Sequence, residues 1–426
     1  MHILLISQYW EPEQGVVQRR WQWISSALIE AGHELTVVCP PPHYPGGKLI
    51  SEDPLHQTGA IDNSVKGIHI YRTRFKEHNP SLISRINDQK VIMLSQLIFA
   101  HRAVRDAHRN RRPIDIVCCT VPALPSAPVA YIVSRLIRAP LVVELRDAWP
   151  EILEYLDEWR DPQPSTVSIK RKAKIAAFHI TLMVAGKILH EILRRAEAII
   201  TTTESLAQIK RKTARGQVVS VRNGVDPTIT NCLKQANENK KTIRILYAGT
   251  VGRAQGLENA AYAIKLLIQS GYSPQLRIVG GGAHLEQIKK LVRENNLPIE
   301  FIGRIPFAQI AEHYNWCDTI LVHLQSWTPM NYTVPSKLFE ALATGKHITA
   351  AVNGEAAQIV SESNAGSIVP PMNPKSLAEI WKHLIENPEE LNVEDNGHIW
   401  LQQNSQLENL EEKWIQVVEE LLSDDT

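Results

Sequence analysis

The chain alternates short apolar runs with helical patterns in two successive cycles, and that cadence restricts it to α/β folds built on parallel sheets. In the first cycle ILLIS (3–7), LTVVCP (35–40), DIVCCT (115–120) and LVVEL (141–145) read as buried strands. Between the first two, Val17, Ile24, Leu28 and Ala31 share one face of a helix over about 16–31 that stops at Gly32. A helix of that length is what a crossover between parallel strands needs. After AIITTTESL (198–206) and SVRNGVD (220–226), the polar stretch NCLKQANENKKT (231–242) reads as a connector. The second cycle has IRILYAG (243–249), LRIVGGG (276–282), IEFIGRI (299–305), TILVHL (319–324) and HITAAV (347–352), with helices such as NAAYAIKLLIQ (259–269) between them. Two doubly wound domains in tandem are predicted, with ligands at the carboxyl ends of their strands in a cleft between the domains.

Composition narrows the function classes. With 426 residues, 44% of them hydrophobic, two or three domains with real cores are expected rather than disorder. The 46 Lys+Arg against 45 Asp+Glu leave no global basic field, which disfavours nucleic acid as a partner. Cys39, Cys118, Cys119, Cys232 and Cys317 show no zinc-type spacing, and three lie in apolar strand-like runs, as reduced core cysteines of a cytosolic protein do. MHILLISQYW lacks a basic leader and is expected to be the first buried strand.

YTVPSKLFEALATGKHITAAVNGEAAQIV (332–360) carries the densest chemistry. Pro335 suits the first turn of a helix, Ser336 can cap it, and Gly345 can end it about three turns later. Unpaired amides near Ser336 to Leu338, the helix dipole and the Lys337 ammonium would make a seat for a diphosphate. Glu340, one turn further on, could accept hydrogen bonds from a ribose diol. The alternative is an ordinary capped helix with two solvated charges. Glycines follow strands at Gly15, at Gly249, Gly252 and Gly256, and at Gly280, Gly281 and Gly282. At Gly15 and at Gly249, Gly252 and Gly256 they permit close approach of phosphate to main chain or, equally, tight structural turns, since neither GxGxxG nor a P-loop is present; the run Gly280, Gly281 and Gly282 is the stronger signal, three glycines at a strand end that let a substrate lie against main chain, with a plain loop as the alternative.

These segments together resemble the family 4 glycosyltransferases, retaining GT-B enzymes that use nucleotide sugars, of the bacterial surface-polysaccharide or O-antigen type. The resemblance rests on GHELTVVCPPPHYPGG (32–47), VELRDAWPE (143–151), VRNGVD (221–226), YAGTVGRAQGLEN (247–259), RIVGGGAHLEQIKKL (277–291), FIGRIPFAQIAEHYNWCDTILVHL (301–324) and VPSKLFEALATGKHITAAVNGEAAQIV (334–360). It implies a Rossmann-like acceptor domain over 1–228, a linker over 229–242, a Rossmann-like donor domain over 243–405, and a C-terminal helix in 406–426 packing back on the first domain. The expected architecture is two such domains facing a deep cleft.

By the same resemblance Glu340 is the second acid of the family's E-x7-E signature and binds ribose, while the first acid is replaced by Tyr332. The family's phosphate-binding arginine and lysine align by spacing with Thr250 and Gln255, leaving Arg253 and Lys337 as the available cations. Without one of them the leaving diphosphate would lack charge stabilisation. The base is expected near Gly303 to Ile305, including Arg304, and Pro335, Ser336 and Leu338 complete the donor seat with Gly15, Gly280 and Gly281. Glu355 supplies a further carboxylate without an assigned role. Asp147, after LVVEL, is the candidate for orienting the acceptor hydroxyl, with a turn cap as the alternative. His43-Tyr44-Pro45 could line the acceptor side or simply pack a loop.

No Asp-x-Asp pair or ligand-spaced cluster is present, so neither metal nor other cofactor is expected beyond the donor. The implied reaction moves a sugar, expected to be N-acetylhexosamine-like and UDP-linked, to a polyprenyl-linked or oligosaccharide hydroxyl. A nucleotide-sugar epimerase on the same architecture and a non-catalytic sugar-nucleotide binding protein are the competing readings. Residues 170–195 are too interrupted to span a membrane. They are either an amphipathic helix on the cytoplasmic leaflet, helped by attraction of the basic residues in HRAVRDAHRNRR (101–112) to anionic lipid and giving peripheral membrane association, or a helix packed inside the first domain.

Overall fold

The computed structural model describes residues 1–44, 46–79, 82–121, 123–155, 169–225, 229, 241–306 and 309–423. Pro45, Cys232 and most of the expected linker lie outside them. The described residues divide into two compact units, one formed by those up to 222 together with those from 408, the other by those of 223–407.

The first unit contains β1 (His2–Ile6), β2 (Glu34–Cys39), β3 (Ile61–Asp62), β4 (Ile68–Arg72), β5 (Ile116–Val121), β6 (Leu141–Leu145), β7 (Ala198–Thr201) and β8 (Gln217–Ser220). Its helices are α1 (Val16–Glu30), α2 (Leu82–Arg109), α3 (Ser126–Ile137), α4 (Ile169–Arg195) and α5 (Glu204–Arg211). The sheet order is β3-β4-β2-β1-β5-β6-β7-β8, parallel throughout except for β3 on β4. Strands covered on both faces by helices need continuous apolar runs, and β1, β5 and β6 are buried at every position.

The second unit contains β9 (Arg244–Ala248), β10 (Gln275–Val279), β11 (Ile299–Gly303), β12 (Thr319–His323), β13 (His347–Ala351) and β14 (Gly366–Val369). Its helices are α6 (Glu258–Gln269), α7 (Leu285–Glu294), α8 (Ile310–Trp316), α9 (Ser336–Ala343), α10 (Gly354–Ser363), α11 (Pro374–Glu386) and α12 (Asn396–Asn404). Its order, β11-β10-β9-β12-β13-β14, runs outward in both directions from β9 and β12. That is the doubly wound arrangement, and the point where the order reverses opens a crevice at the strands' carboxyl ends. The last helix, α13 (Leu407–Ser423), belongs from residue 408 to the first unit. There Trp414 meets Trp21 edge-on with ring centroids 5.5 Å apart, and Gln217 donates to the Val417 carbonyl at 3.1 Å.

Among the elements that the sequence reading did not single out are β3, β4, β14 and the long α2. The short helix after Pro335 also differs from expectation. It is eight residues long, not three turns; Pro335 precedes the first helical residue in an extended conformation, and no side chain caps the helix. The Leu338 N–H turns back onto the Pro335 carbonyl at 2.9 Å, so it is not one of the outward amides. Gly345 follows the end at φ +64°, where an L side chain is disfavoured.

Candidate active site

At the switch point of the second unit three strand ends are stitched together through main chain. Gly249 N–H donates to Val279 at 2.6 Å, Gly280 N–H to Gly303 at 2.6 Å, and Val251 N–H to Gly281 at 3.1 Å. This shelf requires glycine. Gly280 has φ +132°, and a Cβ there would run into the Gly249 carbonyl; one at Gly282 would strike the Val251 carbonyl. Gly281 faces Arg304, whose Nε would lie 3.3 Å from an added Cβ.

Lys337 reaches this shelf. Its Cε and Nζ occupy the space a Gly249 side chain would take, so the ammonium lies against main chain at the end of β9. The uncapped amino end of α9 adds its dipole at the same place. One turn along, Glu340 is half-buried and accepts from the Tyr314 hydroxyl at 3.2 Å. Tyr314 is buried, so the carboxylate is held by a fixed donor. Glu355 is buried in the first turn of α10, after Gly354, where φ is +63° and a Cβ would meet the Asn331 carbonyl.

The turn after β9 is closed by its own polar groups. Tyr247 donates to the Thr250 carbonyl at 2.6 Å, Gln325 N–H to Ala254 at 2.8 Å, and Gln255 Oε1 accepts the Gly252 N–H at 3.0 Å. Thr250 is exposed and Arg253 half-buried within this turn. Gln255 thus uses its side-chain oxygen to hold the loop. Arg304 is exposed and Ile305 half-buried just past β11. Beside the shelf, His284 and Glu258 pair through Nε2 and Oε1.

The first unit carries a buried ionic network at the same level of its own sheet. Glu144, inside β6, accepts from Arg20 Nε at 2.7 Å, Thr120 Oγ1 at 3.0 Å and Trp21 Nε1 at 3.1 Å. Burial pushes its carboxyl up, but Arg20 and Arg146 with these hydrogen bonds outweigh that and hold it below its ordinary range. Arg20 also donates to the carbonyls of Arg222 and Val221, at 2.7 and 3.0 Å. Arg146 is driven down to about 10, chiefly by burial, which Glu144 partly offsets. Burial raises the Asp147 carboxyl, against the pull of Arg146. A carboxylate with a raised pKa at a strand's carboxyl end is suited to accepting a proton. Gly15, with extended backbone, precedes α1 and packs against Gln18 and Tyr44. Glu13 is buried and fixes that loop, accepting from the His43 and Tyr44 amides at 2.7 and 2.8 Å and from Gln18 at 2.7 Å.

The structure therefore gathers Gly249, Gly280, Gly281, Arg304 and Lys337 at one shelf, with Glu340 one turn on; Asp147 and Gly15 belong to the first unit. Sequence reasoning passed over Tyr314, Glu13, Arg20 and Glu144. Glu144 had a signal, since a carboxylate inside an otherwise apolar strand must find a buried cation. Among the described residues no group of three or more His, Cys, Asp or Glu could hold a metal ion. Cys39, Cys118, Cys119 and Cys317 are buried free thiols.

Comparison with known proteins gives two family matches. A model described as "Glycosyl transferase 4-like domain" matches residues 15–224, and one described as "Glycosyl transferases group 1" matches 229–397. A "Probable glycosyltransferase WbjE" of Pseudomonas aeruginosa is 32% identical over 143 residues, covering 33% of this chain and 35% of that protein. The match thus spans about a third of the length of that curated relative. Sucrose-phosphate synthase from Thermosynechococcus elongatus superposes with a TM-score of 0.72 at 18% identity, covering 99% of both chains. Anabaena HepE, solved in complex with UDP, gives 0.63 at 15% identity, covering 99% of this chain and 100% of the other. At these identities the likeness to solved structures is one of fold.

Proposed function

Because the chain belongs to the glycosyltransferases whose two domain models it matches, we propose that it transfers a sugar from a nucleoside-diphosphate sugar to a hydroxyl acceptor with retention of anomeric configuration. The observation that carries this reading is the Lys337 side chain lying against the Gly249 main chain at the uncapped amino end of α9. A cation, a helix dipole and a glycine shelf at a switch point together favour a diphosphate.

In this proposal Lys337 and Arg253 stabilise the departing diphosphate, doing the work of the cations absent at Thr250 and Gln255. Pro335, Ser336 and Leu338 shape the seat, and Gly280 and Gly281 let the sugar diphosphate approach main chain. Glu340, oriented by Tyr314, accepts from the ribose hydroxyls. The base lies along Gly303, Arg304 and Ile305, and Asp147 orients the acceptor hydroxyl. UDP linked to an N-acetylhexosamine is the proposed donor, in keeping with the UDP named in the HepE complex. A lipid-linked or saccharide acceptor of surface polysaccharide assembly is proposed, with the chain peripheral on the cytoplasmic membrane face. The family type implied by the sequence resemblance supports that choice.

The test is release of nucleoside diphosphate from a panel of nucleotide sugars with and without a saccharide or polyprenyl-linked acceptor. Transfer predicts release that depends on acceptor. Conversion of donor without acceptor would indicate an epimerase, and binding without turnover a silent binding protein; either result overturns the proposal.

A further inference from the structure

At the carboxyl ends of β1, β2 and β4 in the first unit, aromatic rings from three loops meet in one wall. Tyr9 follows β1, His43 and Tyr44 follow β2, and Phe75 and His78 follow β4. Tyr9 stacks on His43 with ring centroids 6.3 Å apart and meets Tyr44 edge-on at 5.3 Å. The His43 centroid lies 5.1 Å from that of Phe75 and 6.4 Å from that of His78. His43 is buried; Tyr9, Phe75 and His78 are half-buried and Tyr44 is exposed, so part of the ring surface reaches solvent.

The wall is held from behind. Buried Arg72 donates to the carbonyls of Glu11 and Pro40, at 2.7 and 3.3 Å, and so ties the loop after β1 to the loop after β2. The segment after β4 is fixed to α2, where Ser95 accepts the Arg74 N–H at 2.8 Å and Asp88 the Lys76 N–H at 3.0 Å. Asp88 is fully buried, and its Oδ2 takes no hydrogen bond among the described residues while standing 3.8 Å from His78 Nε2. Ring faces on a fixed backbone, with a few polar groups beside them, are the composition of a small-molecule site. A pyranose suits it, because the C–H groups on the face of the sugar meet the electron-rich face of an aromatic ring while the hydroxyls stay at the edge.

Sheet order fixes how far the wall stands from Asp147, which follows β6. β1 is two strands from β6, β2 three and β4 four. At about 4.8 Å per strand the rings lie on the order of 10–19 Å along the sheet from the end of β6, further than one sugar ring can bridge. We propose that the wall binds a pyranose of the acceptor that is at least one residue removed from the hydroxyl reacting at Asp147. The acceptor is then a saccharide of two or more sugars, and an earlier glycosyl transfer must supply it. The inference rests on the transferase reading and commits it to sugar, not lipid, at this position.

The test is saturation-transfer NMR of the full chain with mono-, di- and trisaccharides of glucose, galactose, mannose and N-acetylglucosamine, in the absence of donor. At least one di- or trisaccharide is expected to bind, saturated through its ring C–H protons, and about tenfold or more tightly than its monosaccharide. Tyr44→Ala should weaken that binding about fivefold, the size of one aromatic contact, and Tyr44→Phe should keep it, since the ring face and not the hydroxyl makes the contact. Neither variant should change the melting temperature or the affinity for UDP, so the outcome is read apart from the donor seat and from the transfer assay. Binding that survives Tyr44→Ala unchanged, equal affinity for mono- and disaccharide, or no saccharide binding at all would overturn the inference.

Discussion

Gly249→Ala isolates the Lys337 contact. Gly249 adopts no left-handed conformation, so an alanine backbone is tolerated there. The three heavy atoms nearest the added Cβ are Cδ, Cε and Nζ of Lys337, the far end of a flexible side chain that can swing aside. Folding should therefore cost little, within about 0.5 kcal/mol, or a shift of roughly 2 °C at most for a unit of this size. Displacing the ammonium removes a charge-assisted contact to the diphosphate, an effect of about 1.5–3 kcal/mol. At 1.36 kcal/mol per decade that is roughly a 10- to 150-fold loss in kcat/KM. Gly280→Ala makes the contrast. Its Cβ meets the Gly249 carbonyl, which cannot move aside, and the residue sits at φ +132°. It should lower stability by about 2 kcal/mol or more and melting by roughly 4–8 °C. Calorimetry and acceptor-dependent UDP release on both variants decide the matter. If Gly249→Ala melts as low as Gly280→Ala, or keeps full activity, the assignment of Lys337 to the diphosphate is wrong.

Other variants probe the first unit and the histidines. Glu144→Leu leaves Arg20 buried without its carboxylate and should destabilise the first unit by about 3–5 kcal/mol in denaturant titration. Glu144's folded pKa is lowered, so its stabilising share is present above pH 4.5 and lost as pH falls through the folded value. Asp147 behaves oppositely. Its pKa is raised by burial, so its cost to stability is absent below pH 3.8 and grows as pH rises through the folded value. Asp147→Asn should therefore raise the melting temperature at pH 7 while cutting transfer, and the gain should vanish in acid. In the second unit burial pushes His323 and His347 down to about 4. Their folded forms favour neutrality, so calorimetry should show that unit losing stability as pH falls from 6.5 towards 4.

Much of the fold was legible because strands covered on both faces must be apolar along their whole length. LVVEL coincides with β6 residue for residue, and HITAAV holds all of β13. The pieces that were missed are those whose pattern is set by partners. β4 pairs with β2 but is sequence-coded as IHIYR, where polar residues mask the strand. α2 mixes exposed Leu94 and Ile98 with buried Asp88 and Gln96, so no clean periodicity survives. At the site, glycine clusters and the Pro335-Ser336-Lys337 run could be found in sequence because backbone demands leave a local mark. That Lys337 lies on Gly249, or that Tyr314 holds Glu340, depends on chain segments 88 and 26 residues apart (337 − 249 and 340 − 314) and leaves none.

The most direct measurement is titration calorimetry of UDP into the wild type, Lys337→Met and Glu340→Ala. A diphosphate seated at the head of α9 predicts saturable binding to the wild type. Each variant should bind at least about tenfold more weakly, the expected size of one charge-assisted contact, with Lys337→Met leaving the melting temperature unchanged and Glu340→Ala lowering it slightly because the buried Tyr314 hydroxyl loses an acceptor. Equal affinity in all three proteins would contradict the account at its centre.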